Sequence, residues 1–179
     1  MDNTEALLLR LLQGIKVFSG FSHHNVKELL SAAVRVDVEA GSYALVEGET
    51  SREFYIVISG EFAVVKKLSS GKEKVIARLR PGDSFGEMSY LDGRPRSASV
   101  IADTDSVLIS FERAKLLKIP ESAALIYLNL ANLMAVRVRD SNSLISLALE
   151  KHEGGVTSEG VPPDALKTHH RFQFLRAKK

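Results

Sequence analysis

One stretch of the chain, residues 81–102, carries the residue types that bind a small phosphate ester. It contains Gly86 directly before Glu87, and Arg96 farther along. Glycine lets backbone N–H groups approach an anion closely, and a helix starting near Glu87 would direct unpaired N–H groups and its positive dipole end at that anion. Arg96 offers a planar fork that matches two phosphate oxygens. We call residues 81–102 the phosphate-binding stretch.

Glu87 adds a second requirement, because a carboxylate beside a phosphate is normally repelled. Its position is explained if the carboxylate accepts a hydrogen bond from a hydroxyl of the same ligand, such as a ribose 2′-OH. An anion site combined with a hydroxyl acceptor predicts a nucleotide rather than free phosphate. Taken singly, Arg96 could be a surface arginine and Glu87 a partner of a helix N-terminus. The prediction depends on both residues at this spacing.

Short β-strands are predicted on both sides of the phosphate-binding stretch. Residues 34–39 alternate apolar and polar side chains, which is the pattern of a half-buried strand. Glycine turns separate further short strands, predicted at 43–47, 53–58, 61–67, 74–79, 97–102 and 105–111. Strands of this length and spacing predict a mainly β fold with flanking helices, a jelly-roll-like β-barrel (double-stranded β-helix).

Helices are predicted before and after the strands. Ser22 has the character of an N-cap, and Pro120 that of the first residue of a long helix. The predicted organisation is, in chain order, N-terminal helices at 1–33, the β-barrel at 34–111 with the phosphate-binding stretch at 81–102, C-terminal helices at 112–150, and a flexible tail at 151–179.

The long C-terminal helix carries two apolar faces. One face is a stripe of Leu130, Met134, Val138, Ser141, Ile145 and Ala148, and the second carries Leu133, Leu144 and Leu147. A helix with two apolar faces needs two partners, and the simplest pair is its own barrel and the same helix of a second subunit. We therefore predict a homodimer through this helix. The alternative is that both faces pack within one chain.

Composition excludes several classes of function. The 179-residue chain has a net charge of +2 and no cysteine, which rules out disulfides, thiolate metal sites and thiol catalysis. All of its histidines lie outside the predicted strands, and no nucleophile-elbow motif is present. We predict no metal site, no cofactor, no catalytic residues and no enzyme activity. An export signal and a membrane-spanning run are also absent, so the predicted location is cytoplasmic.

The residues around this stretch resemble a known family. Phe85-Gly86-Glu87 and Pro95-Arg96-Ser97-Ala98-Ser99-Val100 are similar to the phosphate-binding cassette of cyclic-nucleotide-binding domains. That family includes catabolite-activator-type proteins and regulatory subunits of cyclic-AMP-dependent protein kinase. Residues 47–49 and 54–61 are similar to the family's barrel signature, and residues 130–142 to its long C-terminal helix.

The resemblance implies a role for each matching position. Arg96 would bind the exocyclic oxygens of a cyclic phosphate, and Glu87 the ribose 2′-OH. The other implied ligand-binding residues of the cassette are Gly86, Met88, Ser97 and Ala98. In the barrel, Val64 and Ile76 would pack against the base or sugar. On the long helix, Arg139 and Asp140 would reach the base. Ser97 is small, which fits cyclic AMP, the ligand that we favour. Its hydroxyl is also compatible with cyclic GMP, which remains the alternative ligand.

These features together predict a regulatory module that binds a cyclic nucleotide and transmits ligand occupancy through its C-terminal helix to an effector protein. The residues after Glu150 are too few to fold a helix-turn-helix, so no DNA-binding domain is predicted. Two alternatives stand beside this prediction. One is a structural dimer or adaptor with a vestigial nucleotide pocket, and the other is a regulator that associates with nucleic acid through its tail.

Overall fold

The computed structural model describes residues 14–153, which contain four α-helices and eight β-strands. A turn of 3-10 helix, Lys16–Phe18, comes first. The helices are α1 (His23–Ala32), α2 (Glu87–Asp92), α3 (Arg113–Leu116) and α4 (Pro120–Glu153). The strands are β1 (Ala33–Val38), β2 (Tyr43–Leu45), β3 (Glu53–Ser59), β4 (Phe62–Lys67), β5 (Glu73–Leu79), β6 (Ser84–Phe85), β7 (Ser99–Ala102) and β8 (Ser106–Glu112). Helix α2 connects β6 to β7.

The eight strands form two four-stranded antiparallel sheets, in the orders β1-β8-β3-β6 and β2-β7-β4-β5. All of them contribute to the core between the sheets, through Val38, Leu45, Val57, Phe62, Leu79, Phe85, Val100 and Leu108. The predicted mainly β, jelly-roll-like fold with flanking helices is confirmed. The strands do not close into a barrel, however. The outer strands of each sheet pair on one side only, so the two sheets face each other as a sandwich.

Strand β6 was not predicted, because two residues are too few to show an alternating pattern. It pairs with β3, with Tyr55 opposite Phe85 and Ile56 opposite Ser84. This short pairing fixes the chain beside β3 just before Gly86. It therefore sets the position at which α2 begins within the phosphate-binding stretch.

A second core joins α2 and α4 to the sheet that contains β3 and β8. Phe54 of β3 stacks on Phe111 of β8, with ring centroids 5.0 Å apart. Tyr90 of α2 packs edge-on against Phe54, also at 5.0 Å, and its ring lies 5.5 Å from that of Tyr127 on α4. These four rings are part of one buried apolar cluster, to which α1 adds Val26 and Leu29.

The structure confirms the two predicted helix starts. Ser22 caps α1 because its Oγ accepts a hydrogen bond from the Asn25 N–H at 3.2 Å, and the Asn25 Oδ1 accepts one from the Ser22 N–H at 3.3 Å. Pro120 is the first residue of α4, where the missing N–H of proline has no helical partner to lose.

The chain divides into two compact units between Val136 and Arg137. The first contains both sheets, the three shorter helices and the start of α4. In the second, the described residues continue α4, and five large apolar side chains are 54–67% exposed, namely Val138, Leu144, Ile145, Leu147 and Leu149. Across residues 14–153, every helix is too short or too polar to span a membrane. Residues 154–179 of the predicted tail lie outside the described part of the chain.

Gly60, in the turn between β3 and β4, provides a test of the fold. Its φ is +87°, and a Cβ added there would lie 1.9 Å from the Ser106 Oγ and 2.8 Å from the Ser106 Cα. We expect Gly60→Ala to lower the free energy of unfolding by about 3 kcal/mol or more. The left-handed backbone alone costs alanine about 1–2 kcal/mol, and side-chain rotation cannot relieve a clash with backbone.

Gly71→Ala is the matched control, because Gly71 also has a left-handed φ of +78° but has no atom within 4 Å of an added Cβ. Its expected loss is about 1–2 kcal/mol, from the backbone alone. Denaturant unfolding of both variants measures the difference. Equal losses would contradict the close packing of the turn at Gly60 against Ser106 of β8.

Candidate functional site

Gly86 lies between β6 and α2, directly against Arg96. Its φ is +79°, a left-handed conformation that favours glycine. A Cβ added to Gly86 would lie 2.6 Å from the Arg96 Nη1, 3.2 Å from the Glu53 carbonyl oxygen and 3.3 Å from the Leu45 Cδ1. Glycine is therefore required both for the backbone angle and for the close approach of the guanidinium.

Arg96 lies inside the protein, with only 1% of its side chain exposed. Its Nε donates to the Ser51 Oγ, its Nη1 to the Gly86 carbonyl oxygen and its Nη2 to the Glu53 carbonyl oxygen, each at 2.8 Å. The Glu53 carboxylate lies 3.6 Å from Nη2. A buried charge needs such partners to offset its lost hydration, and they come from the loop before β3, the first residue of β3 and the turn after β6.

The sequence predicted that the fork of Arg96 would face two ligand oxygens, whereas in the structure three of its N–H groups bond to the protein. Further donors on Nη1 and Nη2 are not used by these bonds. Burial lowers the pKa of Arg96, and the nearby Tyr55 and Glu53 oppose that shift. Because arginine does not lose its proton in proteins, the site keeps a permanent positive charge beneath Gly86.

Helix α2 begins at Glu87, as the sequence predicted. Glu87 is buried, with 2% of its surface exposed, and Tyr90 one turn later is fully buried. Met88 lies on the solvent side and is 52% exposed, in agreement with the helical repeat. Glu87 therefore lies on the protein side of α2, within the predicted stretch, and its contact with a ligand hydroxyl stays a prediction.

Ser97 and Ala98 complete the site just before β7. The Ser97 Oγ donates to the Met88 Sδ at 3.7 Å, so this side chain faces α2. A thioether is a weak acceptor. In residues 14–153, neither the Ser97 N–H nor the Ala98 N–H donates a hydrogen bond. Two backbone donors next to Arg96 are therefore available to an anion.

Two charged residues to which the sequence analysis gave no individual role contact this segment. The Lys66 Nζ donates to the Ser97 carbonyl oxygen at 2.5 Å and to the Glu47 Oε1 at 2.6 Å. The Glu47 Oε2 accepts from the Lys67 N–H at 3.1 Å, and these hydrogen bonds hold the pKa of Glu47 below its ordinary value. No sequence motif marks the contact, because it depends on the pairing of β4 with β7.

The two predicted barrel positions differ in burial. Val64 is half-buried and packs against the core between the sheets. Ile76 is 57% exposed on the edge strand β5. The register with β4 shifts between the pairs Val64–Ala77 and Val65–Val75, which leaves Ile76 as the extra residue of a β-bulge. Ile76 therefore stands opposite no residue of β4.

Arg139 and Asp140 lie on α4 in the second unit, and both are exposed. The Arg139 carbonyl oxygen accepts a hydrogen bond from the Ser143 Oγ at 3.1 Å, within the helix. Their contact with a ligand base stays a prediction.

Other parts of the surface offer less chemistry. Among the residues that the structure describes, no group of three or more His, Asp or Glu side chains is placed to hold a metal ion. A depression of about 370 Å³ lies between the edge strands β1 and β2, lined by Val36, Val38, Glu39, Tyr43 and Leu108 among others. No residue of the phosphate-binding stretch lines it, so we assign the site to the stretch rather than to this depression.

Comparison with known proteins shows the family of the chain. The family model "Cyclic nucleotide-binding domain" matches residues 35–122. The chain is 32% identical over 172 residues to the Cyclic AMP receptor protein of Thermus thermophilus, which covers 92% of this chain and 80% of that protein. It is 39% identical over 93 residues to a cAMP-dependent protein kinase regulatory subunit of Yarrowia lipolytica, which covers 52% of this chain and 24% of the subunit.

A solved cyclic nucleotide-binding domain from Methylobacillus flagellatus has the same fold. It superimposes with a TM-score of 0.71 at 27% sequence identity, and the match covers 90% of this chain and 88% of that one. The resemblance seen in the phosphate-binding stretch is confirmed by these matches, which extend over most of the chain. The chain belongs to the cyclic nucleotide-binding domain family.

Proposed function

We propose that this protein is a regulator that binds a cyclic nucleotide in the phosphate-binding stretch and prefers cyclic AMP to cyclic GMP. The observation that carries the proposal is the permanent charge of Arg96 beneath Gly86, beside two backbone N–H groups for which residues 14–153 supply no acceptor. The name of the Thermus thermophilus relative, a cyclic AMP receptor protein, supports the choice of ligand.

The cyclic phosphate takes its hydrogen bonds from the N–H groups of Ser97 and Ala98 and from the unused donors of Arg96. The buried Glu87 carboxylate accepts the ribose 2′-OH, a contact that free phosphate cannot make. The weak bond from the Ser97 hydroxyl to Met88 leaves that hydroxyl available to a better acceptor on the ligand.

The base side of the site accounts for the preferred nucleotide. We assign Val64 and Ile76 to the base or sugar, and both are apolar. Guanine carries more polar groups than adenine, and each of them costs free energy if it leaves water without a partner. The small Ser97 leaves room for either base, so the preference for cyclic AMP is one of degree. Arg139 and Asp140 are proposed to reach the base from α4.

Ligand occupancy is transmitted from α2 to α4 through two tyrosines. The Tyr90 and Tyr127 rings are in contact, and within the described residues neither buried hydroxyl makes a well-formed hydrogen bond. Burial raises the pKa of Tyr90, and the Tyr127 hydroxyl is close enough to raise that pKa further. An unpaired buried hydroxyl costs about 1–3 kcal/mol, so this contact gains stability if α2 moves and the hydroxyls find partners. A ligand that binds the moved state more tightly shifts the population towards it, and α4 presents the change to an effector protein.

The second unit supports a homodimer. Its described helical residues leave Val138, Leu144, Ile145, Leu147 and Leu149 open to solvent. Monomeric proteins rarely expose so many large apolar side chains on one short segment. Val138, Ile145 and Leu149 lie on one side of the helix, and pairing with the same helix of a second copy would bury that side.

Ile145→Lys tests the dimer. We expect the wild type to sediment as a dimer and the variant as a monomer at micromolar concentration, because a charge is costly to bury at a helix interface. Ser146→Lys is the matched control, since it adds the same charge at the next, exposed position, about 100° around the helix. A monomeric wild type, or equal dissociation of both variants, would contradict pairing through this face.

Calorimetric titration with cyclic AMP and cyclic GMP tests ligand binding. We expect the wild type to bind cyclic AMP more tightly, and Arg96→Ala to weaken that binding on the order of 10²–10³-fold, because charge-assisted contacts to the phosphate are lost. Arg94→Ala removes the same charge from a neighbouring exposed position and should retain affinity within about threefold.

Because Arg96 is buried, its loss also affects folding, and a second titration avoids any change to the protein. Wild-type protein should bind 2′-deoxy cyclic AMP about tenfold more weakly than cyclic AMP if Glu87 accepts the 2′-OH. Ligand-free wild type that releases no heat with either nucleotide would overturn the proposal in favour of a structural dimer with a vestigial pocket. Salt-sensitive binding to nucleic acid instead would favour the alternative of a tail-mediated regulator.

A further inference from the structure

The Lys66 side chain crosses from β4 to the segment that precedes β7. Its ammonium group donates to the Ser97 carbonyl oxygen at 2.5 Å and to the Glu47 Oε1 at 2.6 Å. Glu47 is itself held at both ends, because its N–H donates to the Ser99 Oγ at 2.9 Å and its Oε2 accepts from the Lys67 N–H at 3.1 Å. These contacts tie the chain after β2, strand β4 and the start of β7 to one another.

The hydrogen bond to Ser97 fixes a peptide unit as well as an oxygen. The peptide between Ser97 and Ala98 is trans and planar, so its carbonyl oxygen and the Ala98 N–H point in opposite directions. While Lys66 holds the oxygen, the N–H is directed away from Lys66. In residues 14–153 this N–H has no acceptor. It is a fixed donor directly after Arg96 and Ser97.

We propose that Lys66 and Glu47 are positioning residues for the nucleotide phosphate, which they serve by fixing the Ser97 carbonyl so that the Ala98 N–H faces the anion. This inference rests on the proposed function and adds to it a second layer of residues behind the site. A donor fixed before the ligand arrives does not have to be ordered during binding, and such preorganisation increases affinity.

The pair is better suited to positioning than to holding the fold together. Both side chains are partly exposed, and ion pairs of this kind contribute little to stability. Lysine is also suited to both bonds, because its ammonium group carries three donors on a long stem. Removal of the Lys66 ammonium group should therefore lower the affinity for the nucleotide and leave the thermal stability nearly unchanged.

The first experiment compares Lys66→Met with Lys66→Arg by calorimetric titration with cyclic AMP. We expect Lys66→Met to weaken binding about tenfold while its unfolding midpoint stays within about 3 °C of the wild type. Lys66→Arg retains a cationic donor and should restore most of the affinity. Wild-type affinity in Lys66→Met would overturn the inference, whereas no binding by the wild type itself would overturn the proposed function.

A second variant separates positioning from simple attraction between Lys66 and the phosphate. Glu47→Gln removes a negative charge close to the anion site, so attraction alone predicts tighter binding. Under the positioning role, the charge-assisted bond that holds Lys66 in place becomes a weaker bond to a neutral amide oxygen, and nucleotide binding becomes weaker. Tighter binding by Glu47→Gln would contradict the inference.

The two phosphorothioate diastereomers of cyclic AMP give a readout that a structural role would not change. Each replaces one exocyclic oxygen with sulfur, a poorer hydrogen-bond acceptor. If the Ala98 N–H donates to one of these oxygens, the diastereomer that carries sulfur at that position already has the weaker bond. The loss of affinity caused by Lys66→Met is then smaller for that diastereomer. We expect the ratio of the two affinities to change about threefold or more between wild type and variant. Equal weakening of both diastereomers would refute the positioning role.

Discussion

Arg96 places a permanent charge inside the protein, and the arrangement of the chain around it follows from the hydrogen bonds that this charge requires. A guanidinium taken out of water needs acceptors in its own plane. Ser51 supplies one from the loop before β3, Glu53 supplies one at the start of β3, and Gly86 supplies another after β6. Strand β6 has only two residues, but its pairing with β3 holds Gly86 beside those acceptors. The protein's own hydrogen bonds thus hold the guanidinium of the candidate site in place.

Helix α2 connects this charged site to the aromatic core. Glu87 begins the helix on the side of the site, and Tyr90 lies one turn later against Phe54 and Tyr127. The six residues of α2 therefore join the candidate site directly to the tyrosine contact. Within the described residues the Tyr90 and Tyr127 hydroxyls are buried without a well-formed hydrogen bond, which is why this contact is the proposed link between α2 and α4.

The parts of the site that are local in the chain could be predicted from sequence. Gly86, Glu87 and Arg96 lie in one stretch, and turn and helix signals are local, so the start of α2 followed from them. The acceptors of Arg96 and the contact from Lys66 come from other loops and strands, and only strand pairing brings them close. Alternation shows which side chains face the core but not which strands are neighbours. That is why a closed barrel was predicted where the strands form a sandwich.

The bulge at Ile76 also bears on the behaviour of the protein at high concentration. Strand β5 is a sheet edge, and exposed edges with apolar side chains act as templates on which other chains aggregate. Here the register shift interrupts the row of edge hydrogen-bonding groups in the middle of the strand, and Lys74 and Arg78 add charges on either side of Val75 and Ile76. The edge can therefore expose two large apolar residues without offering a continuous surface for intermolecular β-pairing.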